Sequence, residues 1–216
     1  MTQIIKSAAA EINIDPKEVA VYLGYYSANG IDEKVITDGI SEFLENADFR
    51  ACCVKVPVSI TENGVDLGFL QTESKALKKN LCGCDEAYII AATTGINSQR
   101  LIEKNTVISP LKGIVTDCIG SAAIESFCDK INLSLCKNPD FLRPRFSPGY
   151  GDLCLDCQKK IVDFLCTDRN IGLSLTESLM MIPKKSVTAI IGIGKEKNKC
   201  KGNGCMTCKS ENCPYR

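Results

Sequence analysis

The sequence contains no histidine. No imidazole is therefore available as a general base, as the partner of a nucleophile or as a metal ligand, and any bound metal must rest on thiolates and carboxylates. Neither charge is in excess. Lysine plus arginine and aspartate plus glutamate each total 26, so no broad basic face for nucleic acid is implied. No stretch approaches the roughly 18 apolar residues of a membrane span. Residues 1–10 lack the basic start and apolar run of an export signal, so the expectation is a cytoplasmic protein. Glycine-rich nucleotide loops are also wanting. Gly192-Ile193-Gly194-Lys195 follows a strand pattern, but no third glycine and no helix come after it, which argues against a dinucleotide fold, a P-loop and the common methyltransferase fold. There is no internal repeat.

Cysteine is what the chain has in abundance, 14 in 216 residues. Without an export signal these read as reduced thiols or metal ligands rather than disulfides. The length supports one domain with a sizeable core and at most one appendage.

Hydrophobic periodicity divides the chain. Asp15-Pro16-Lys17-Glu18 combines a cap, a first-turn proline and a carboxylate three residues after the cap, and predicts a helix towards Tyr25. Ile36, Ile40, Phe43, Leu44 and Ala47 predict a second over 32–48. Val54, Val56, Val58 and Ile60 alternate, as do Val65, Leu67 and Phe69 after Asn63-Gly64, which predicts a hairpin with one buried face. A short helix over 72–80 follows, then a strand over 87–93 apolar enough to be buried on both faces. Ser109-Pro110 opens the longest helix, to about Leu135, with Asp117, Ser121, Glu125 and Asp129 four apart along one polar line. A helix over 155–166 and a strand over 187–193 complete the core, and beyond Gly194 the composition turns to lysine, glycine and cysteine.

Between the last two helices lies Arg145-Phe146-Ser147-Pro148-Gly149-Tyr150. Arg145 offers a planar five-donor fork, Pro148-Gly149 sets a turn with bare backbone, and Tyr150 adds a phenol. An ordinary surface turn has the same composition. This motif, followed in order by Leu175-Thr176-Glu177-Ser178, Ile182-Pro183 and Ser186-Val187, resembles the activation domain of cobalamin-dependent methionine synthase, and more closely its free-standing form. The likeness runs from about Asp85 to Ile193 and is densest from Arg145 onward.

The resemblance implies an α+β fold, a twisted, mainly antiparallel sheet flanked by helices over residues 1–195, and the change of composition beyond Gly194 makes residues 196–216 a separate Cys-rich appendage. The resemblance also implies that Arg145 holds S-adenosylmethionine, that Ser147, Pro148 and Gly149 offer it backbone contacts, and that Tyr150 faces the cobalt of a cobalamin carried by a partner. Glu125 corresponds to a family glutamate near the sulfonium, although a solvated helix face explains it equally well. Thr176-Glu177-Ser178 matches the family and also reads as a turn with a cap. The implied function is reductive reactivation of a corrinoid, in which one electron and the methyl group of S-adenosylmethionine return cobalt(II) to the methylated state. Partners would be the synthase or another corrinoid protein, and an electron donor such as a flavodoxin or ferredoxin.

The tail reads Cys200-x4-Cys205-x2-Cys208-x4-Cys213, a spacing that fits an iron–sulfur cluster, structural zinc, or free or paired thiols. Cys154-x2-Cys157 opens a helix directly after the arginine–tyrosine motif, where the helix dipole favours a reactive thiolate or a ligand role. Cys52, Cys53, Cys82 and Cys84 read as buried or idle thiols. Three functions compete: a reactivation accessory of methionine synthase, an iron–sulfur electron carrier for another corrinoid protein, and an independent S-adenosylmethionine methyltransferase.

Overall fold

The computed structural model describes residues 2–24, 32–136 and 141–194. Its centre is a five-stranded antiparallel sheet in the order β1–β2–β6–β10–β7, built from Gln3–Ser7, Phe49–Pro57, Cys84–Thr93, Ser186–Gly194 and Phe141–Leu142. Two small sheets stand beside it: β3 (Ser59–Ile60), β4 (Val65–Asp66) and β5 (Gln71–Thr72) form one, and β8 (Ser174–Leu175) with β9 (Met181–Ile182) forms the other. Among the described residues seven α-helices cover the faces: α1 (Pro16–Tyr22), α2 (Glu33–Asn46), α3 (Lys75–Asn80), α4 (Ile96–Ile108), α5 (Pro110–Leu135), α6 (Cys157–Leu165) and α7 (Thr167–Ile171).

The core strands are buried on both sides because their alternating residues feed two different cores. Phe49, Ala51, Cys53, Ile90, Ala92, Ala189 and Ile191 pack against α1, α2, α4 and α5. Cys52, Val56, Ala87, Ile89, Ala91 and Ile190 face the small sheets, α3, α6 and α7. Each fully buried isoleucine contributes roughly 1.5–3 kcal/mol by leaving water. The α+β architecture expected from the sequence is the one observed.

Local chemistry sets the helix starts. The Asp15 carboxylate accepts from the Lys17 amide, and Pro16 occupies the first turn. Asp32 caps α2 through Lys34, and Ser74 caps α3 through Leu77. The 26-residue α5 begins at Pro110 behind Ser109.

One expectation needs correction. The alternating stretch 54–60 does not pair with 65–69. Val54 and Val56 belong to β2, in the middle of the central sheet between β1 and β6, and only Ser59–Ile60 folds back on Val65–Asp66 across the Asn63-Gly64 turn. A second buried layer thus claims the strand that looked like a one-sided hairpin arm. The pair Gly192 and Gly194 proves to be a packing feature. A Cβ at Gly192 would stand 2.8 Å from the Cys84 sulfur and 3.0 Å from Arg143 Cγ, and one at Gly194 would meet the Arg143 guanidinium at 3.1 Å. No helix of the described residues is long and apolar enough to cross a membrane.

Candidate functional site

The arginine–tyrosine motif lies along the free side of β10. Leu142 pairs with Ile193, the Arg143 amide donates to the Gly192 carbonyl, and Phe146 exchanges both backbone bonds with Ile190. Pro144 and Arg145 together therefore oppose the single residue Ile191, which makes a β-bulge. Proline suits that position because it has no N–H to lose from the ladder. Adjacent side chains of an extended segment point to opposite faces: Phe146 packs against the core that includes α6, whereas Arg145 turns to α5.

There Arg145 meets the polar line of α5. Its Nη2 donates to Glu125 Oε2 at 2.6 Å and its Nη1 to Asp129 Oδ1 at 2.7 Å. The other half of the line receives Lys185, whose Nζ lies 2.9 Å from Asp117 Oδ2 and 2.9 Å from Ser121 Oγ. The line is thus a pair of cation seats rather than a merely solvated face. The Arg145 side chain is 19% exposed, and burial works against its charge, but the two carboxylates more than offset this and keep it ionised. Cys128, beneath them, is pushed up to about 12 by burial and stays a neutral thiol.

One carboxylate here went unassigned in the sequence. Glu18 on α1 is solvent-exposed, yet its carboxyl is raised above the ordinary value, first by desolvation and then by repulsion from Glu125, Asp129 and Asp15. Solvent contact limits the size of that shift. Glu125 and Asp129 hold the Arg145 guanidinium, and Glu18 adds a third carboxyl close enough to feel both acids, so the three acids and one cation carry net negative charge. Glu18 and Asp129 are separated by more than a hundred residues, and no local pattern announces their meeting.

The turn after Arg145 is built from its own backbone. The Tyr150 amide donates to the Ser147 carbonyl, the Gly149 amide to the Leu153 carbonyl and the Leu153 amide to the Tyr150 carbonyl. Gly149 has φ 89°, in the left-handed region that glycine adopts freely. The amides of Gly149 and Tyr150 are therefore committed inside the turn. Among the described residues, the Ser147 amide and the carbonyls of Pro148 and Gly149 have no hydrogen-bond partner. Pro148 is buried, and Tyr150 is 58% exposed with its ring edge-on to Phe146 at 6.2 Å.

Thr176-Glu177-Ser178 forms the turn of the β8–β9 hairpin. Thr176 Oγ1 lies 2.9 Å from Ser178 Oγ and accepts from the Met180 amide, while Gln158 of α6 donates to the Leu179 carbonyl. That geometry is a turn with a cap, and Glu177 is exposed at its tip. Cys154 is exposed and Cys157 buried, and both are free thiols. Burial, followed by the neighbouring Cys154, raises the Cys157 thiol, so the helix start does not activate it. Among the described residues no group of three or more cysteines and acids could hold a metal. Cys200, Cys205, Cys208 and Cys213 lie outside the described residues.

No protein-family model matches the sequence, and no curated protein matches it. The fold is similar to a solved structure, described as the crystal structure of the MetH reactivation domain bound to AdoHcy. The TM-score is 0.68 at 12% identity, over 91% of this chain and 79% of that chain.

Proposed function

We propose that this protein binds S-adenosylmethionine and serves the reductive remethylation of a corrinoid carried by a cobalamin-dependent methionine synthase. The observation that carries the reading is the convergence of Arg145, Glu125 and Asp129 beside a turn whose Ser147 amide and Pro148 and Gly149 carbonyls are unpartnered. The likeness of fold to a domain described with AdoHcy supports it, as does the order of motifs from Arg145 to Val187.

The residues suit the ligand. Arg145 has five N–H donors, and two serve Glu125 and Asp129, which leaves others for a ligand carboxylate. The two acidic side chains hold the fork in place and, with Glu18, leave a net negative charge that favours a sulfonium and an ammonium. The Ser147 amide and the two free carbonyls can bond the flat part of the ligand. Tyr150 is largely exposed, which suits contact with a partner.

When bound, the corrinoid would supply a reduced cobalt able to accept the sulfonium methyl, leaving S-adenosylhomocysteine. The residues described here act by binding and orientation: they fix the sulfonium, exclude water and need no proton transfer. Absence of histidine is compatible with such work. In the same proposal residues 196–216 form a separate metal-binding tail on Cys200, Cys205, Cys208 and Cys213, which would hold an iron–sulfur cluster and deliver the electron.

Mixing the protein with a methionine synthase in the cobalt(II) state, S-adenosylmethionine and a one-electron reductant tests the reading. Methyl incorporation that depends on this protein is expected. Incorporation at the same rate without it would overturn the proposal.

A further inference from the structure

Helix α3 is tied at both ends to the segment that carries Tyr150. At its C-terminal end Asn80 Nδ2 donates to the Pro144 carbonyl at 3.2 Å. At its N-terminal end the Asp152 carboxylate gathers three donors: the Ser74 hydroxyl and the Ala76 amide on Oδ1, and the Lys75 amide on Oδ2 at 2.8 Å. Ser74 is buried and also accepts from the Leu77 amide, so the residue that starts α3 is the residue that holds Asp152. Residues 144–152 thus run along the length of a six-residue helix and are bonded to it at each end.

The fit between them is close. A Cβ on Gly151 would stand 2.9 Å from the Ala76 methyl and 3.8 Å from the Phe146 ring, and Gly151 has φ +56°. Only glycine lets the chain pass α3 here and leave Asp152 aimed at the helix start. Elsewhere the segment is held at Phe146 by β10 and at Leu153, which is 2% exposed. Between those points lie Ser147, Pro148, Gly149 and Tyr150, the stretch assigned to the ligand above. A carboxylate bonded to helix amides forms charge-assisted hydrogen bonds, roughly twice as strong as neutral ones. Consistent with this, the Ser74 hydroxyl first, and then the α3 amides, hold the Asp152 carboxyl below the ordinary value.

We propose that α3 is the splint of the ligand loop and Asp152 its positioning residue, fixing the turn 147–150 in the conformation that grips the adenosyl ligand; this rests on the function proposed above. Asp152 touches no ligand in this account. Its part is to keep the Ser147 amide and the Pro148 and Gly149 carbonyls in place before the ligand arrives, so that binding does not have to order the turn.

Amide exchange and calorimetry on the full chain test it with D152N, D152E and N80A. In D152N one acceptor becomes a donor facing the Ser74 hydroxyl and the α3 amides. Exchange at the Gly149, Tyr150 and Leu153 amides is expected to rise at least about tenfold, with no change at Ile89 or Ile190, and affinity for S-adenosylmethionine to fall by about the same factor. D152E, which keeps both acceptor oxygens, should recover much of each loss. N80A releases the other end and should loosen the same turn, which keeps the test informative if D152N perturbs more than the loop. Unchanged exchange at Tyr150 and Leu153 in both D152N and N80A would overturn the splint. A loosened turn with undiminished affinity would overturn its role for the ligand. Failure of the wild-type protein to bind S-adenosylmethionine would instead reject the proposed function, and the exchange data would still decide whether α3 holds the turn.

Discussion

Arg145 Nη2 lies 2.6 Å from Glu125 Oε2, and the same guanidinium reaches Asp129 one helical turn further on. A bulged edge segment and a 26-residue helix are joined there by one forked cation, whose planar guanidinium presents separate N–H donors to the two carboxylates. Arg145→Ala leaves Glu125 and Asp129 without their shared cation. A loss of about 1–2 kcal/mol is expected, or a fall in Tm of roughly 3–6 °C, and Arg145→Lys should lose less because the charge remains. Heat denaturation checks this. An unchanged Tm in Arg145→Ala would mean that solvent screens the pairs.

Glu18 should act in the opposite direction. Its carboxyl is raised in the folded protein, so the folded state holds the proton more tightly than the unfolded state, and stability falls as pH rises from the ordinary carboxylate range through the raised value. At neutral pH Glu18→Gln removes the repulsion and should raise Tm by about 1–2 °C, the small size reflecting solvent exposure. The same change should weaken S-adenosylmethionine more than S-adenosylhomocysteine, because only the former carries the sulfonium charge. Equal effects on the two ligands would detach Glu18 from the sulfonium.

Much of this arrangement was legible in the sequence because it is local. The cap at Asp15, the apolar stripe of α2, the start of α5 at Pro110 and the doubly buried strand before Thr94 follow from short patterns of residue type. Strand β1 was not legible: a short strand whose residues alternate between exposed and half-buried lacks the apolar run that marks a core strand. Helix α4 was missed for a related reason, since it buries only Ser98, Leu101 and Asn105, two of them polar. At the site, the polar line of α5 was visible, but its two cations, Arg145 and Lys185, arrive from loops that local spacing cannot connect to it. The tie from Asp152 to Ser74 spans 78 residues and is equally silent.

Tyr150→Phe removes only a hydroxyl from an exposed ring. Fold and S-adenosylmethionine affinity should be unchanged, while the visible spectrum of a bound cobalt(II) corrinoid protein should shift as its water coordination changes. Identical spectra with the two variants would mean that Tyr150 does not face the metal.

The tail makes a separable claim. Truncation after Lys195 removes Cys200, Cys205, Cys208 and Cys213 but none of the residues in either core. Protein purified without oxygen should be brown and bleach on reduction, and the truncated form should be colourless, folded and still able to bind S-adenosylmethionine. A colourless full-length protein holding one zinc would make the tail structural and remove the reason to call it an electron carrier.

The central claim is that Arg145 and the turn after it hold S-adenosylmethionine. Calorimetric titration of the full chain with that ligand, beside Arg145→Ala, is the most direct test. The expected result is saturable binding at one site, weakened at least about tenfold in the variant, as loss of a charge-assisted carboxylate contact requires. Absence of binding to the folded wild-type protein, or a variant that titrates as the wild type does, would contradict the account.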